Sequence, residues 1–335
     1  MIKPIIISDG ILDNQGLRSA ASEKNGNYFL TEAGVEYEFG SGSYDAALKN
    51  KVVYIPCHKD GTNVVNNALF NHGRTLVEEG KIRELITSHY NGNVCIIRTY
   101  SLNAFGNALE TTENLLIPND EERIASVAYI LPFVDVIIAN PRGSVFQKVF
   151  KMIVAWGGQY VLWGNNMKIT SGNMFANYFN GQVKFGNTYN NVIPHTYMNN
   201  EWDCENKNAT TVYTNINGNF NRKYTVPSAR LSKLVNMNRV NKLDNFEALN
   251  VPTIDDIPCD YDGLMAVPLT VLGKLDPESY TLHGAINSWR ENKNNGLLCG
   301  NRMITIGRNG KKTVTGGPVL KGDALFFRVL ISMNF

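Results

Sequence analysis

Cysteine is scarce and unpatterned: Cys57, Cys95, Cys204, Cys259 and Cys299 include no CxxC pair. An odd, dispersed set argues against a disulfide framework and against a zinc site. No apolar run approaches the roughly 18 consecutive residues of a membrane helix. The opening MIKPIIISDG is interrupted by Pro4 and Asp9, unlike a signal peptide. A reducing cytoplasm and no membrane partner are therefore expected. Excess charge is also missing, with a net +2 and a pI near 8.2. Dedicated DNA-binding domains are usually more basic, so any nucleic-acid contact would use a local groove. His58, His72, His89, His195 and His283 lack metal-ligand spacing, and no metal is expected. Gly40-Ser41-Gly42-Ser43 lacks the Lys-Ser/Thr that completes a phosphate loop and reads as a flexible loop. There is no internal repeat and no low-complexity linker, so one domain with excursions is the simplest organisation.

Apolar residues make up 43% of the 335 residues, enough for a packed core, and charged residues 19%. Asparagine is abundant and often doubled, as at Asn66-Asn67, Asn165-Asn166 and Asn190-Asn191. That pattern is explained first by nucleotide bias in an AT-rich genome, which fits a bacterial, plasmid or viral source.

Short β-branched runs bounded by turn residues mark strands at Lys51–Ile55, Val94–Ile97, Val134–Ile138 and Gln159–Trp163. Helical patterns fall near Asn63–Glu79, Asn119–Leu131 and Ser144–Ala155. This alternation predicts βαβ units and a largely parallel, doubly wound sheet. Residues 186–250 are polar and irregular, with one strand expected at Thr210–Ile216, and read either as loops and edge strands or as a substrate-contacting insertion. The chain closes on an expected strand at Ala324–Ser332.

Three blocks resemble the EcoRI-type adenine-specific DNA methyltransferases. The first is Lys51-Val52-Val53-Tyr54-Ile55-Pro56-Cys57, where that family has a strand running into a Cys-Asp-Asp-Pro loop. The second is Asp135-Val136-Ile137-Ile138-Ala139-Asn140-Pro141, followed by Ser144-Val145-Phe146 and later by Trp163-Gly164-Asn165. The third, the most specific, runs from Asp256-Ile257-Pro258 through Asp260-Tyr261-Asp262-Gly263-Leu264-Met265 to Val267-Pro268. The resemblance implies an α/β fold: a Rossmann-like class I methyltransferase sheet with helices on both faces and an irregular Asn-rich insertion. It implies an N-terminal extension at 1–47, a core at 48–185, the insertion at 186–250 and the rest of the same domain at 251–335.

The implied activity is transfer of a methyl group from S-adenosylmethionine to the amino group of adenine in double-stranded DNA. Such enzymes act on a base flipped out of the duplex. Asn140 Oδ1 and the Pro141 carbonyl would accept both amino hydrogens and aim the nitrogen lone pair at the methyl group. Arg142 occupies a pocket position, where its guanidinium could lie flat on a base. Phe146 is a second pocket position, with core packing of the following helix as its alternative reading. Phe39, Cys57 and Asp60 match the cofactor-binding positions.

This sequence also departs from the family. Arg142-Gly143 stand where the family has Pro-aromatic, removing a stacking ring worth roughly 1–3 kcal/mol per base. His58-Lys59-Asp60-Gly61 replaces the paired aspartates, Arg98-Thr99-Tyr100 lacks the carboxylate expected after the second strand, and Gly40 replaces the Tyr after Phe39. These departures imply impaired catalysis. The alternative is a non-catalytic methyltransferase fold that binds DNA or a protein partner, as a restriction antagonist or an assembly component. The expected setting is the cytoplasm of a bacterial cell, the gene being chromosomal or carried by a phage or plasmid.

Overall fold

The computed structural model describes residues 29–30, 32–56, 68–91, 94–116, 130–141, 146–188, 197–198, 210–220, 224–286, 296–306 and 312–334. The chain divides into two compact units, 1–168 with 184–221, and 169–183 with 222–335. The block expected as one insertion, 186–250, is thus shared between them.

In the first unit a short antiparallel pair joins β1 (Phe29–Leu30) and β9 (Tyr197–Met198). Helices α1 (Glu32–Phe39) and α2 (Asp45–Leu48) follow β1. The main sheet contains β2 (Val52–Pro56), β3 (Glu84–Asn91), β4 (Val94–Leu102), β5 (Ala108–Leu116), β6 (Val136–Ala139), β7 (Gln159–Asn165), β8 (Lys184–Phe185) and β10 (Thr210–Thr214). Their order is β5-β4-β3-β2-β6-β7-β10-β8. Strands β3, β2, β6 and β7 run parallel, and antiparallel strands flank them on both sides. The sheet is therefore mixed. β3 pairs antiparallel with β4, Asn91 opposite Val94; the sequence had suggested no strand here and a helix leading from β2 to a parallel strand at Val94–Ile97. An Asn-Gly turn favours a hairpin, whereas a parallel return needs a dozen or more residues.

Buried Val52-Val53-Tyr54-Ile55 and Val136–Ala139 read as continuous apolar runs because parallel central strands are covered on both faces. Helix α3 (Ala68–Glu78) follows β2, and Leu69, Gly73, Leu76 and Val77 form its buried stripe. A Cβ at Gly73 would lie 2.8 Å from Ile55 Cδ1, so glycine permits the helix to sit close to the strand. Helix α4 (Phe146–Trp156) buries Phe146, Val149, Phe150 and Ile153 at the same helical spacing. The expected helix at Asn119–Leu131 lies almost wholly outside the described residues; only its end joins a 3-10 turn at Leu131–Phe133.

Residues 32–48, expected as part of an extension, instead pack into the core: Val35, Phe39, Tyr44 and Leu48 join Val53, Ile55, Ile138, Val161 and Trp163. A buried carboxylate ties them down. Glu38 lies on the same helical stripe as Gly34 and Val35. Its Oε1 accepts the Tyr44 hydroxyl and the Asn187 backbone N–H (2.9 Å), and its Oε2 accepts Thr188 N–H at 2.8 Å. Asn187 Nδ2 returns a bond to the Glu38 carbonyl at 2.7 Å and reaches Ser41 Oγ and Ser43 Oγ at 3.1 and 3.2 Å. The 40–43 loop, expected to be flexible, is therefore pinned. Gly186 makes this possible, because a Cβ there would fall 2.0 Å from Glu38 Oε1.

The second unit holds helices α5 (Gly172–Phe179) and α6 (Leu231–Asn236). Its six-stranded sheet has the order β11 (Asn241–Lys242), β12 (Leu249–Asn250), β13 (Met265–Pro268), β20 (Arg328–Met333), β14 (Tyr280–Ile286) and β15 (Leu297–Leu298). The terminal strand, expected from Ala324, begins at Arg328 and lies in the middle of this sheet. Two separate hairpins join β16 (Met303–Ile306) to β17 (Lys312–Thr315) and β18 (Val319–Leu320) to β19 (Asp323–Ala324). The Asp256–Met265 block is held structurally: Arg239 Nε meets the buried Asp256 at 2.5 Å, and Asp260 Oδ1 accepts Leu231 N–H at the start of α6.

Burial pushes the Glu38 carboxyl up to about 7 from its usual 4.5, against the pull of its hydrogen bonds. The folded chain thus holds a proton that the unfolded chain releases between pH 4.5 and 7. This contribution to stability is full below about 4.5 and is lost as pH rises through 7. Relative to Glu38→Gln, the wild type should lose roughly 3 kcal/mol of unfolding free energy across that interval. Urea unfolding at pH 4.5 and 7.5 measures the difference. An unchanged gap between the two proteins would refute this assignment.

Candidate functional site

In open α/β sheets ligands bind beyond the carboxyl ends of the strands, where the chain reverses its direction of travel across the sheet. Here that point lies between β2 and β6. From β2 the chain moves to one side through α3 to β3, and it later re-enters on the other side as β6. Val53 pairs with Val136 and Tyr54 with Ile137, so the two strands end nearly level, at Pro56 and Ala139. Their starts are also level, because Asp135 Oδ2 accepts the Val52 N–H at 2.9 Å.

Asn140 and Pro141 stand immediately beyond β6, and both are half-buried. That combination leaves their polar groups reachable while the strand beneath them is fully buried. Arg142, Cys57 and Asp60 lie outside the described residues. Phe146, at the start of α4, is fully buried. Its ring meets Tyr213 edge-on with centroids 5.7 Å apart, and Lys168 Nζ lies 5.9 Å above it. A Cβ at Gly164 would come within 2.7 Å of this ring, so Phe146 packs α4 onto β7. The same burial depresses the Lys168 ammonium below the usual lysine range.

Phe39 packs from α1 on the face opposite Phe146, since its ring meets Trp163 whereas Phe146 meets the adjacent Gly164. Phe39 is 6% exposed, with its ring 4.9 Å from Tyr44, 4.7 Å from His72 and 5.7 Å from Trp163. Trp163 follows Leu162, the residue paired with Ala139, and so connects Phe39 to the level of Asn140. Trp163 Nε1 and His72 Nε2 are buried and find no hydrogen-bond partner among the described residues. Such orphaned nitrogens around an aromatic face are met by ligand heteroatoms or ordered water. Burial also lowers the His72 pKa, favouring neutral imidazole.

The structure therefore brings Asn140, Pro141 and Phe39 to one end of the sheet and sets Phe146 in the core. The sequence singles out Phe39 and places Trp163 in a strand without a site role, but gives Glu38 and Asn187 no role. The signal for Glu38 was present, since it shares the helical face of Gly34 and Val35, where an acid requires partners. Its contacts with Asn187 and Thr188 span about 150 positions, and no local pattern announces them. Among the described residues no group of three or more His, Cys, Asp or Glu could hold a metal, and no helix is long and apolar enough to cross a membrane.

Comparisons with known proteins place the chain among DNA methyltransferases. Type II methyltransferase M.MgeORF184P of Mycoplasma genitalium is 24% identical over 278 residues, covering 78% of this chain and 84% of that protein. Type II methyltransferase M.MpnI of Mycoplasma pneumoniae is 24% identical over 280 residues, covering 78% and 83%. Type II methyltransferase M.EcoRI of Escherichia coli is 26% identical over 162 residues, covering 44% and 49%. No solved structure matches. The family model described as "Adenine-specific methyltransferase EcoRI" matches residues 16–334, nearly the whole length, and the chain belongs to that family.

Proposed function

We propose that this protein transfers a methyl group from S-adenosylmethionine to the N6 amino group of adenine in double-stranded DNA, as the modification activity of a restriction-modification system. The carrying observation is Asn140-Pro141, half-buried at the carboxyl end of β6, beside the reversal point with β2. S-adenosylmethionine, when bound, supplies an electrophilic sulfonium methyl. Phe39, Trp163 and His72 form a cluster of mutually tilted rings with two unsatisfied nitrogens, a chemistry that suits a nucleoside. In the same reading Cys57 and Asp60 complete the cofactor side.

This chain's own contribution is positioning. Asn140 Oδ1 and the Pro141 carbonyl accept the two N6 hydrogens and draw electron density toward the nitrogen. The lone pair, otherwise delocalised into the ring, is then directed at the methyl carbon. As the new N–C bond forms, the C–S bond breaks and its electrons return to sulfur, and the surplus N6 proton passes to solvent. Because Arg142-Gly143 supply no ring, stacking falls to the Arg142 guanidinium, and slow turnover follows.

A second reading rests on the same Arg142-Gly143 pair and on the altered stretch after β2: a fold retained for binding without catalysis. Methyl-labelled S-adenosylmethionine and DNA from a methylation-free strain separate the two. The proposal expects label in adenine, reduced about 100-fold or more by Asn140→Ala. Absence of label, together with no cofactor binding by calorimetry, would establish the binding scaffold instead.

A further inference from the structure

The second unit is the basic one. Outside it, residues 1–168 and 184–221 carry seventeen Lys and Arg against twenty Asp and Glu, a net −3. Residues 169–183 and 222–335 carry fifteen against ten, a net +5. The near-neutral whole conceals this separation.

Within the basic unit, β16 and β17 form a two-stranded ribbon that joins no larger sheet. Ile304 pairs with Val314, and Ile306 with Lys312, so these four side chains share a face. That face is open: Ile304, Ile306 and Val314 are 65%, 59% and 62% exposed. The opposite face carries Thr305 and Thr315, both buried. The usual orientation of a hairpin, apolar side down and hydroxyl side up, is reversed. Arg302 and Lys312, both exposed, flank the apolar face with positive charge.

The ribbon stands on a rigid base. The side chain of buried Asn245 donates to the Asn301 carbonyl at 3.0 Å and the Gly317 carbonyl at 2.7 Å, and it accepts Val319 N–H at 3.0 Å. Asn301 N–H returns to the Asn245 carbonyl at 2.9 Å, and Gly300 N–H bonds the Gly316 carbonyl at 2.8 Å. One side chain thus clamps the chain where it enters and leaves the ribbon. Such a base suits an element that must hold its orientation against a partner.

We propose that the β16–β17 ribbon enters the major groove of duplex DNA and reads sequence there. This rests on the DNA methyltransferase reading above and names the element that recognises the DNA. A major groove about 12 Å wide admits a two-stranded ribbon. β-branched methyl groups suit contact with the thymine methyl that lines this groove, while Arg302 and Lys312 engage phosphates or the guanine edge. The net +5 selects a polyanion over a second copy of the same basic unit.

The test uses the full-length protein and an unmethylated 200-bp bacterial DNA fragment pool, with binding followed against salt. Arg302→Ala with Lys312→Ala should weaken binding about 10- to 100-fold at low salt and reduce the logarithmic salt slope by about 2. Ile304→Ala with Val314→Ala should leave that slope intact and broaden the set of adenines that become methylated. Both variants should melt like the wild type, since the substituted side chains are exposed. Wild-type affinity, salt slope and methylation pattern in both folded variants would overturn the proposal. So would dimerisation through the ribbon without DNA binding, lost in Ile304→Ala with Val314→Ala. Should the wild type bind DNA but transfer no methyl, the catalytic reading falls while the affinity comparison still decides the ribbon's role.

Discussion

Parallel pairing of β2 with β3 on one side and β6 on the other is the constraint on which the site depends. It forces the chain to leave β2 in one direction across the sheet and return in the other. The carboxyl ends of the two strands, at Pro56 and Ala139, are thereby set side by side, the position where open α/β sheets bind ligands. Burial of Val52–Ile55 and Val136–Ala139 on both faces stabilises that pairing, each large side chain contributing roughly 1.5–3 kcal/mol relative to exposure. Asn140 needs no separate support, because its place follows from the end of a strand that cannot slip by one residue without misplacing four buried side chains.

The second dependency is polar. Glu38 carries no position in the proposed chemistry, yet its carboxylate joins α1 to Tyr44 and to the segment after β8, from which Asn187 Nδ2 holds the 40–43 loop. A buried acid is costly unless partnered, and two backbone N–H groups with a tyrosine hydroxyl meet that need. Phe39 is held against Trp163 and His72 as a result. The Phe39–Trp163–His72 cluster is therefore positioned by a residue that does not belong to it.

Much of this was legible in the sequence, for identifiable reasons. Strands β2, β6 and β7 were readable because central parallel strands are apolar on both faces, and α4 because Phe146, Val149, Phe150 and Ile153 repeat at helical spacing. β3 and β5 went unseen, so the strand at Val94–Ile97 was taken as the parallel partner that follows the helix after β2, although Asn91-Gly92 announces a hairpin. Sheet membership is decided by partners far away in the chain, so local pattern could not place the terminal strand at the centre of its sheet. At the site, Asn140 and Pro141 were visible as a motif, while Glu38's partners and the reversed face of the β16–β17 ribbon were not. Alternating Ile and Thr mark a ribbon, but they do not say which face the rest of the protein covers.

Hydrogen exchange with and without S-adenosylmethionine tests the central claim most directly, that the methyl donor is held at the carboxyl ends of β2 and β6. The account predicts slower exchange at the backbone amides of 39–44 and of Asn140 on adding the methyl donor, with the β14–β20 sheet pair unchanged. Protection confined to other segments, or none at saturating methyl donor, would contradict it.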